Sequence, residues 1–171
     1  MDYEIDFMPV GDSHGDAICI RYGHPLYGYV VDVIDGNYSD TGDEIIGHLR
    51  RYWGTNVINN LILTHADNDH AVGLIKVMEA CHVGTLRMNR PWLYVDEVLH
   101  YYHGNLTRHG FIDKFEDAHP YLVELERLAA RDGTNVVPRH LRLLHRVGAI
   151  TASLHLAHPG PRQRPRGVQR P

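Results

Sequence analysis

Residues 58–80 constrain the fold of this chain more than any other segment. The short apolar run over residues 58–63 predicts a buried strand, and the spacing of apolar side chains over residues 71–80 predicts a helix. Between them lies a loop, residues 64–70, with the sequence Thr-His-Ala-Asp-Asn-Asp-His. Because this loop is held at both ends, its polar side chains are expected to point toward one place.

The loop holds four potential metal ligands, which are His65, Asp67, Asp69 and His70. Imidazole nitrogens and carboxylate oxygens together suit zinc, manganese or iron. Two structural roles stay open, since Asp69 can cap the following helix and Asp67 can form a turn. An EF-hand is excluded, because Ala71 stands where that loop needs an oxygen ligand. The pattern therefore predicts a metal site, or the remnant of one.

Strands come first along the chain and then alternate with helices. Alternating or continuous apolar runs predict strands over residues 3–8, 17–22, 27–34, 58–63 and 83–88. Helical spacing predicts helices over residues 43–53, 71–80, 94–107 and 121–131. Residues 135–156 are ambiguous, with a strand over 149–156 as one interpretation. This order is typical of an α+β or α/β layered domain.

Composition limits the class of protein. A chain of 171 residues with 43% hydrophobic and 22% charged residues fits one globular domain. No apolar run reaches the roughly 18–20 residues of a membrane span, and the acidic start is unlike a signal peptide. We therefore expect a cytoplasmic protein without a membrane partner, in which Cys19 and Cys81 are small buried side chains.

Charge is distributed unevenly. Residues 1–132 carry ten Lys/Arg and all 21 Asp/Glu, whereas residues 133–171 carry seven Arg and no acid. The acidic part disfavours a nucleic-acid surface without excluding one, and the basic end either contacts a polyanion or stays solvated. We predict a domain over residues 1–157 and a disordered Pro/Arg-rich tail over residues 158–171.

The motif His65-x-Asp67-x-Asp69-His70 resembles the metal motif of the metallo-β-lactamase fold superfamily. It is similar to the version with Asp at the third position, which occurs in the hydrolase domain of DNA-uptake competence proteins. Shorter pieces continue the resemblance over residues 10–18, 33–36, 40–42, 61–64 and 71–74. The resemblance covers about residues 5–92 and implies the N-terminal part of an αββα sandwich.

The resemblance also implies roles for single residues. His65 and Asp67 would bind a first metal, Asp69 and His70 a second, and Asp69 would also orient the attacking water. Asp35 would steady the loop without binding metal. One or two Zn or Mn ions are implied. Asp67 stands where the commoner pattern has an imidazole, and its carboxylate favours manganese slightly. The expected substrate is a small molecule or a phosphodiester.

The family also needs metal ligands further along the chain. The downstream His and Asp residues of this sequence do not lie in the surroundings that the family's motifs require. Residues 133–171 contain no carboxylate that could bridge two metals. We therefore expect a truncated domain, with a degenerate domain without turnover as the alternative. Such a partial sandwich would expose an apolar face, which predicts a homo-oligomer. Asn89 and His14 are two further candidates, Asn89 as a polar group near the metals and His14 at the rim of the cleft or in a turn.

A second alternative starts from residues 11–15. Gly-Asp-Ser-His-Gly resembles the first motif of the calcineurin-type metallophosphoesterases, in which Asp and His bind metal. The other two motifs of that family are incomplete here, since residues 36–38 lack the His and residues 42–44 are not followed by the Asp. No serine lies in a nucleophile elbow, and neither cysteine lies in a reactive pattern.

Overall fold

The computed structural model describes residues 2–138. The strand predicted over residues 149–156, the domain boundary at residue 157 and the tail over residues 158–171 lie outside this range. The strands are β1 Asp2–Phe7, β2 Ile18–His24, β3 Gly28–Ile34, β4 Val57–Ile62, β5 His82–Arg87 and β6 Asn135–Val137. The α-helices are α1 Ser39–Tyr52, α2 Asn68–Ala80, α3 Val95–Leu99, α4 Arg108–Ala118 and α5 Pro120–Asp132. No helix within residues 2–138 combines the length and the apolar character that crossing a membrane requires.

The described strands form one mixed sheet whose spatial order follows the chain, from β1 to β6. Strands β1, β2 and β3 are antiparallel neighbours, whereas β3, β4, β5 and β6 are parallel. The parallel strands need crossover connections, and α1 and α2 supply the first two. The predicted α+β class is therefore confirmed.

The core lies between the sheet and three helices. Because the strand order advances in one direction and crossovers are right-handed, α1, α2 and α5 come to the same face of the sheet. The central strands contribute Val33, Leu61 and Leu86 to this core, each with no exposed surface. The helices contribute the fully buried side chains Ile45, Leu49, Leu74, Leu125 and Leu128.

Two predicted helices begin earlier than expected. Helix α1 begins at Ser39 instead of Asp43, and α2 begins at Asn68 instead of Ala71. Both additional turns are polar, so hydrophobic spacing could not predict them. They form because tertiary contacts bury Thr41 in the first turn of α1 and His70 in the first turn of α2.

The helix predicted over residues 94–107 is wrong. The chain forms a short 3₁₀ helix, Pro91–Tyr94, and then α3, which ends at Leu99. His100 and His103 therefore lie outside the helices. Helix α4 was not predicted, although Thr107 is a regular cap whose hydroxyl accepts a hydrogen bond from the Gly110 amide at 3.1 Å.

Glycines allow helix α2 to approach the preceding loops closely. A Cβ atom at Gly73 would lie 1.8 Å from the Gly36 carbonyl oxygen, and one at Gly15 would lie 1.8 Å from the Asp69 carbonyl oxygen. The Gly73 amide donates to the Asn37 carbonyl at 2.8 Å, and the Gly36 amide donates to the His70 carbonyl at 2.9 Å. Backbone contact therefore fixes the N-terminal part of α2 against the end of β3.

We predict that Gly73→Ala destabilises the fold by at least about 2 kcal/mol, because the methyl group overlaps backbone that cannot move alone. Gly47→Ala is the matched control. Gly47 lies in α1, and a Cβ atom there would meet no heavy atom within 4 Å. Its replacement should stabilise the helix by about 0.5–1 kcal/mol. Urea denaturation of both variants measures the difference, and equal stability of the two would contradict this packing.

Candidate metal centre

The candidate centre lies where two parallel strands end. Asp35 directly follows β3, and residues 63–67 connect β4 to helix α2, whose first turn contains His70. Since β3 and β4 are parallel neighbours, both connections leave the same edge of the sheet. Ligand sites of open parallel sheets lie at this edge.

Asp35 is the buried centre of the cluster. Its side chain is 2% exposed, and its backbone is left-handed with φ 55°, a conformation that Asp tolerates better than most residues. Oδ1 accepts a hydrogen bond from the Thr64 amide at 2.7 Å, and Oδ2 accepts one from the Thr64 hydroxyl. Oδ2 also lies 2.9 Å from Nδ1 of His70. Both carboxylate oxygens are therefore occupied within the protein.

The two histidines are each held through Nδ1. Nδ1 of His70 is paired with Asp35, and Nδ1 of His65 lies 2.8 Å from the Thr64 hydroxyl. The two ring centroids are 3.7 Å apart. Because a partner holds each Nδ1 atom, Nε2 is the nitrogen that each ring can offer to a metal, as in metal sites whose histidines are held by outer hydrogen bonds.

One ligand atom each from Asp35, His65 and His70 lies within 4.8 Å of the others, the one such group of three found within residues 2–138. Asp67 is close to this group, with Oδ2 3.6 Å from Nε2 of His65. A tetrahedral ion with ligand bonds of roughly 2.0–2.1 Å separates its donor atoms by roughly 3.4 Å. The spacing of His65 and Asp67 thus fits two ligands of one ion.

Asp69 lies outside the group of three, in the first turn of α2. The interpretation of Asp69 as the cap of α2 is wrong, because the helix already begins at Asn68. Asp67 occupies the cap position instead, but its side chain makes no cap hydrogen bond. Neither carboxylate is therefore used by the helix as a cap, and the metal roles of both residues stay predictions.

The remaining candidates are also outside the group. Asn89 follows β5 and so lies at the same edge of the sheet, whereas His14 lies in the loop between β1 and β2. Asp12 of the calcineurin-like motif is exposed. Sequence reasoning missed Thr64 as a member of the site, although its position directly between the buried strand and His65 was a usable signal.

Comparison of the chain with protein-family models gives no match, and comparison with curated proteins gives none either.

The two cysteines lie away from this centre and are buried, as predicted, with Cys19 0% and Cys81 8% exposed. Burial, with a smaller contribution from Asp6, raises the pKa of the Cys19 thiol to about 12. Burial also raises the pKa of the Cys81 thiol. Both groups are therefore protonated near neutral pH, which makes them poor nucleophiles.

We predict that iodoacetamide leaves both cysteines unmodified in the native protein at pH 7.5. The same treatment in denaturant should modify both, because unfolding removes the burial that raises their pKa values. Intact-mass spectrometry counts the adducts. Rapid native modification of either thiol would contradict the described packing.

We predict that Asp35→Ala destabilises the protein by about 2–4 kcal/mol, because it leaves the Thr64 amide and the buried His70 without their acceptor. Asp67→Ala is the matched control, since Asp67 is 75% exposed and its removal should change stability by less than about 0.5 kcal/mol. Thermal and urea denaturation of the metal-free protein provide the comparison. Equal effects of the two changes would argue against a supporting role for Asp35.

Proposed function

We propose that this chain is a metal-dependent hydrolase of the metallo-β-lactamase fold superfamily. The observation that carries the proposal is the pair His65 and His70, whose Nδ1 atoms are both held, so that Nε2 is the nitrogen each ring can offer to a metal. The described sheet also has its core helices on one face, which is the arrangement expected for one half of an αββα sandwich. The His-x-Asp-x-Asp-His motif supplies the link to hydrolysis.

The proposed ligands are divided between two ions. His65 and Asp67 hold the first, supported by the 3.6 Å separation of their donor atoms. Asp69 and His70 hold the second, in the first turn of α2. When bound, the ions supply an activated water molecule and polarise the scissile bond of the substrate. This mixed set of nitrogen and oxygen donors suits Zn or Mn.

The chain's own residues orient this site. Asp35 fixes the tautomer of His70, because a carboxylate beside Nδ1 keeps the proton there and leaves Nε2 as the acceptor. Thr64 connects the same carboxylate to His65, so one buried group orients both rings. Asp69 is proposed to hold the attacking water in position.

The proposed substrate is a phosphodiester or another small ester. Bound cations reverse the local field in a site lined by carboxylates, so the acidity of residues 1–132 does not repel such a substrate at the site itself. The alternative is a domain that binds at most one ion and has no turnover. Metal stoichiometry separates the two.

We predict that the protein binds two Zn or Mn ions, and that His65→Ala and His70→Ala each weaken binding at least about 100-fold. Titration calorimetry with metal alone, together with elemental analysis, measures affinity and stoichiometry. His109→Ala is the matched control, because this 85% exposed histidine lies on α4 and should leave binding unchanged. One bound ion would favour the domain without turnover, and no binding would refute the metal site.

We predict that Asp69→Ala reduces hydrolysis of bis(p-nitrophenyl) phosphate by the metal-loaded protein at least about 100-fold, since it removes both a ligand and the group that orients water. Asp12→Ala and His14→Ala should retain full activity. If these two changes abolish metal binding while Asp69→Ala does not, the calcineurin-like alternative is the better one.

A further inference from the structure

The sheet has a second apolar face, on the side opposite the core helices. Paired residues of neighbouring strands project from the same face, so the register identifies its members. One row crosses four strands, where Phe7 pairs with Ile18, Ile18 with Ile34 and Ile34 with Ile62. A second row pairs Ile5 with Ile20. We call the surface formed by these six side chains the open face.

Strand β1 shows that this face is a distinct surface. Its residues alternate, so Tyr3, Ile5 and Phe7 project to the open face. The acids Glu4 and Asp6 project to the opposite face, toward the helices, where Glu4 pairs with Arg21 at 2.6 Å and Asp6 pairs with His48 of α1 at 3.1 Å. Strand β1 therefore presents its apolar groups on the side of the sheet away from the helices.

The described residues do not cover this face. None of the six open-face side chains belongs to the core or packs against its rim. Phe7 is 75% exposed, Ile5 is 49% exposed and the other four open-face side chains are half-buried, whereas the helix-facing Cys19 and Val33 are fully buried. Contiguous exposed apolar surface of this kind is typical of interaction sites.

The polar groups next to these rows are hydrogen-bonded to one another. Tyr22 contacts Asp32 at 3.4 Å, Asn60 donates to Asp32 at 2.6 Å, and Arg87 donates to Asn60 at 3.0 Å. This chain of contacts crosses β2, β3, β4 and β5. Since Asp32 and Arg87 are the charged residues on the outward strand positions, the face carries no net formal charge.

Charge is compatible with a second copy of the same chain as the occupant. Residues 1–132 hold 21 acids against ten bases, so like charge opposes association of two copies through most of the remaining surface. The open face is neutral and apolar, and two open faces can meet without repulsion. A patch that fits itself is also what a two-fold symmetric dimer requires.

The area reaches the lower limit for a specific dimer. The outward side of strands β1–β5, of which the open face is the apolar part, covers roughly 500 Å² at about 4.8 Å strand spacing and about 20 Å strand length. Two copies would then bury roughly 1,000 Å² in total, the lower limit for a specific interface. Two sheets in such contact pack about 10 Å apart with strands aligned within about 30°.

We propose that this chain forms a two-fold dimer through the open face, so that the sheet of one copy covers the sheet of the other. The proposal depends on the register of the sheet and not on the proposed metal site. The dimer would contain two central sheets with the core helices of each copy outside.

Sedimentation velocity of the full chain between about 1 and 200 µM tests the proposal. We expect a concentration-dependent species of twice the 19.5 kDa chain mass. Phe7→Lys should weaken association at least tenfold, because it places a charge inside the interface. Tyr101→Lys is the matched control, since Tyr101 is 79% exposed and lies after α3, away from the sheet.

Circular dichroism establishes whether each variant is folded. If Phe7→Lys does not fold, Ile5→Lys replaces it. A monomer at all concentrations overturns the proposal, since the open face would then have another occupant or none. A dimer that tolerates both Phe7→Lys and Ile5→Lys overturns it as well, because its interface would lie elsewhere. Weakening by both lysine variants, with Tyr101→Lys unchanged, supports it.

Discussion

The candidate centre depends on one buried carboxylate. Asp35 connects three segments that are distant in sequence, namely the end of β3, the loop after β4 and the first turn of α2. A buried carboxylate is costly unless its oxygens are hydrogen-bonded, and the Thr64 amide and hydroxyl together with His70 satisfy this requirement. Because these hydrogen bonds offset the cost of burying Asp35, they also fix the position of the loop and the rotation of the His70 ring.

The glycine contacts act together with this carboxylate. Gly73 and Gly36 bring the backbone of α2 against the segment that follows Asp35, and Gly15 receives the Asp69 carbonyl from the other side. Larger residues at these positions would hold the helix away and lengthen the His70 contact to Asp35. Close backbone packing and side-chain hydrogen bonding therefore both fix the position of the first turn of α2 relative to Asp35.

Much of the fold was predictable because its strands and main helices have clear hydrophobic periodicity. The strand before the loop and the helix after it were predicted from residues 58–80 alone, and the ligand-rich loop between them was identified as well. The exact start of α2 was not predictable, since its first turn, Asn-Asp-His, is polar and forms through contacts with Asp35 and the Gly36 backbone. For the same reason, sequence spacing could name the four candidate ligands of the loop but could not show which of them converge. Convergence depends on which neighbour holds each ring, and the position of Thr64 before His65 does not show that its hydroxyl connects Asp35 to His65.

The two histidines differ in how they meet solvent. The side chain of His65 is 48% exposed, whereas that of His70 is 8% exposed. An ion or small molecule that reaches the pair therefore encounters His65 and the exposed Asp67 first, and His70 only afterwards. Bulk water therefore reaches the imidazole of His65, whereas the imidazole of His70 is shielded from it. Because the chain has 14 histidines, modification by diethyl pyrocarbonate would be followed peptide by peptide, and the rate at His70 relative to His65 would report on how firmly the buried carboxylate keeps the inner ring in place.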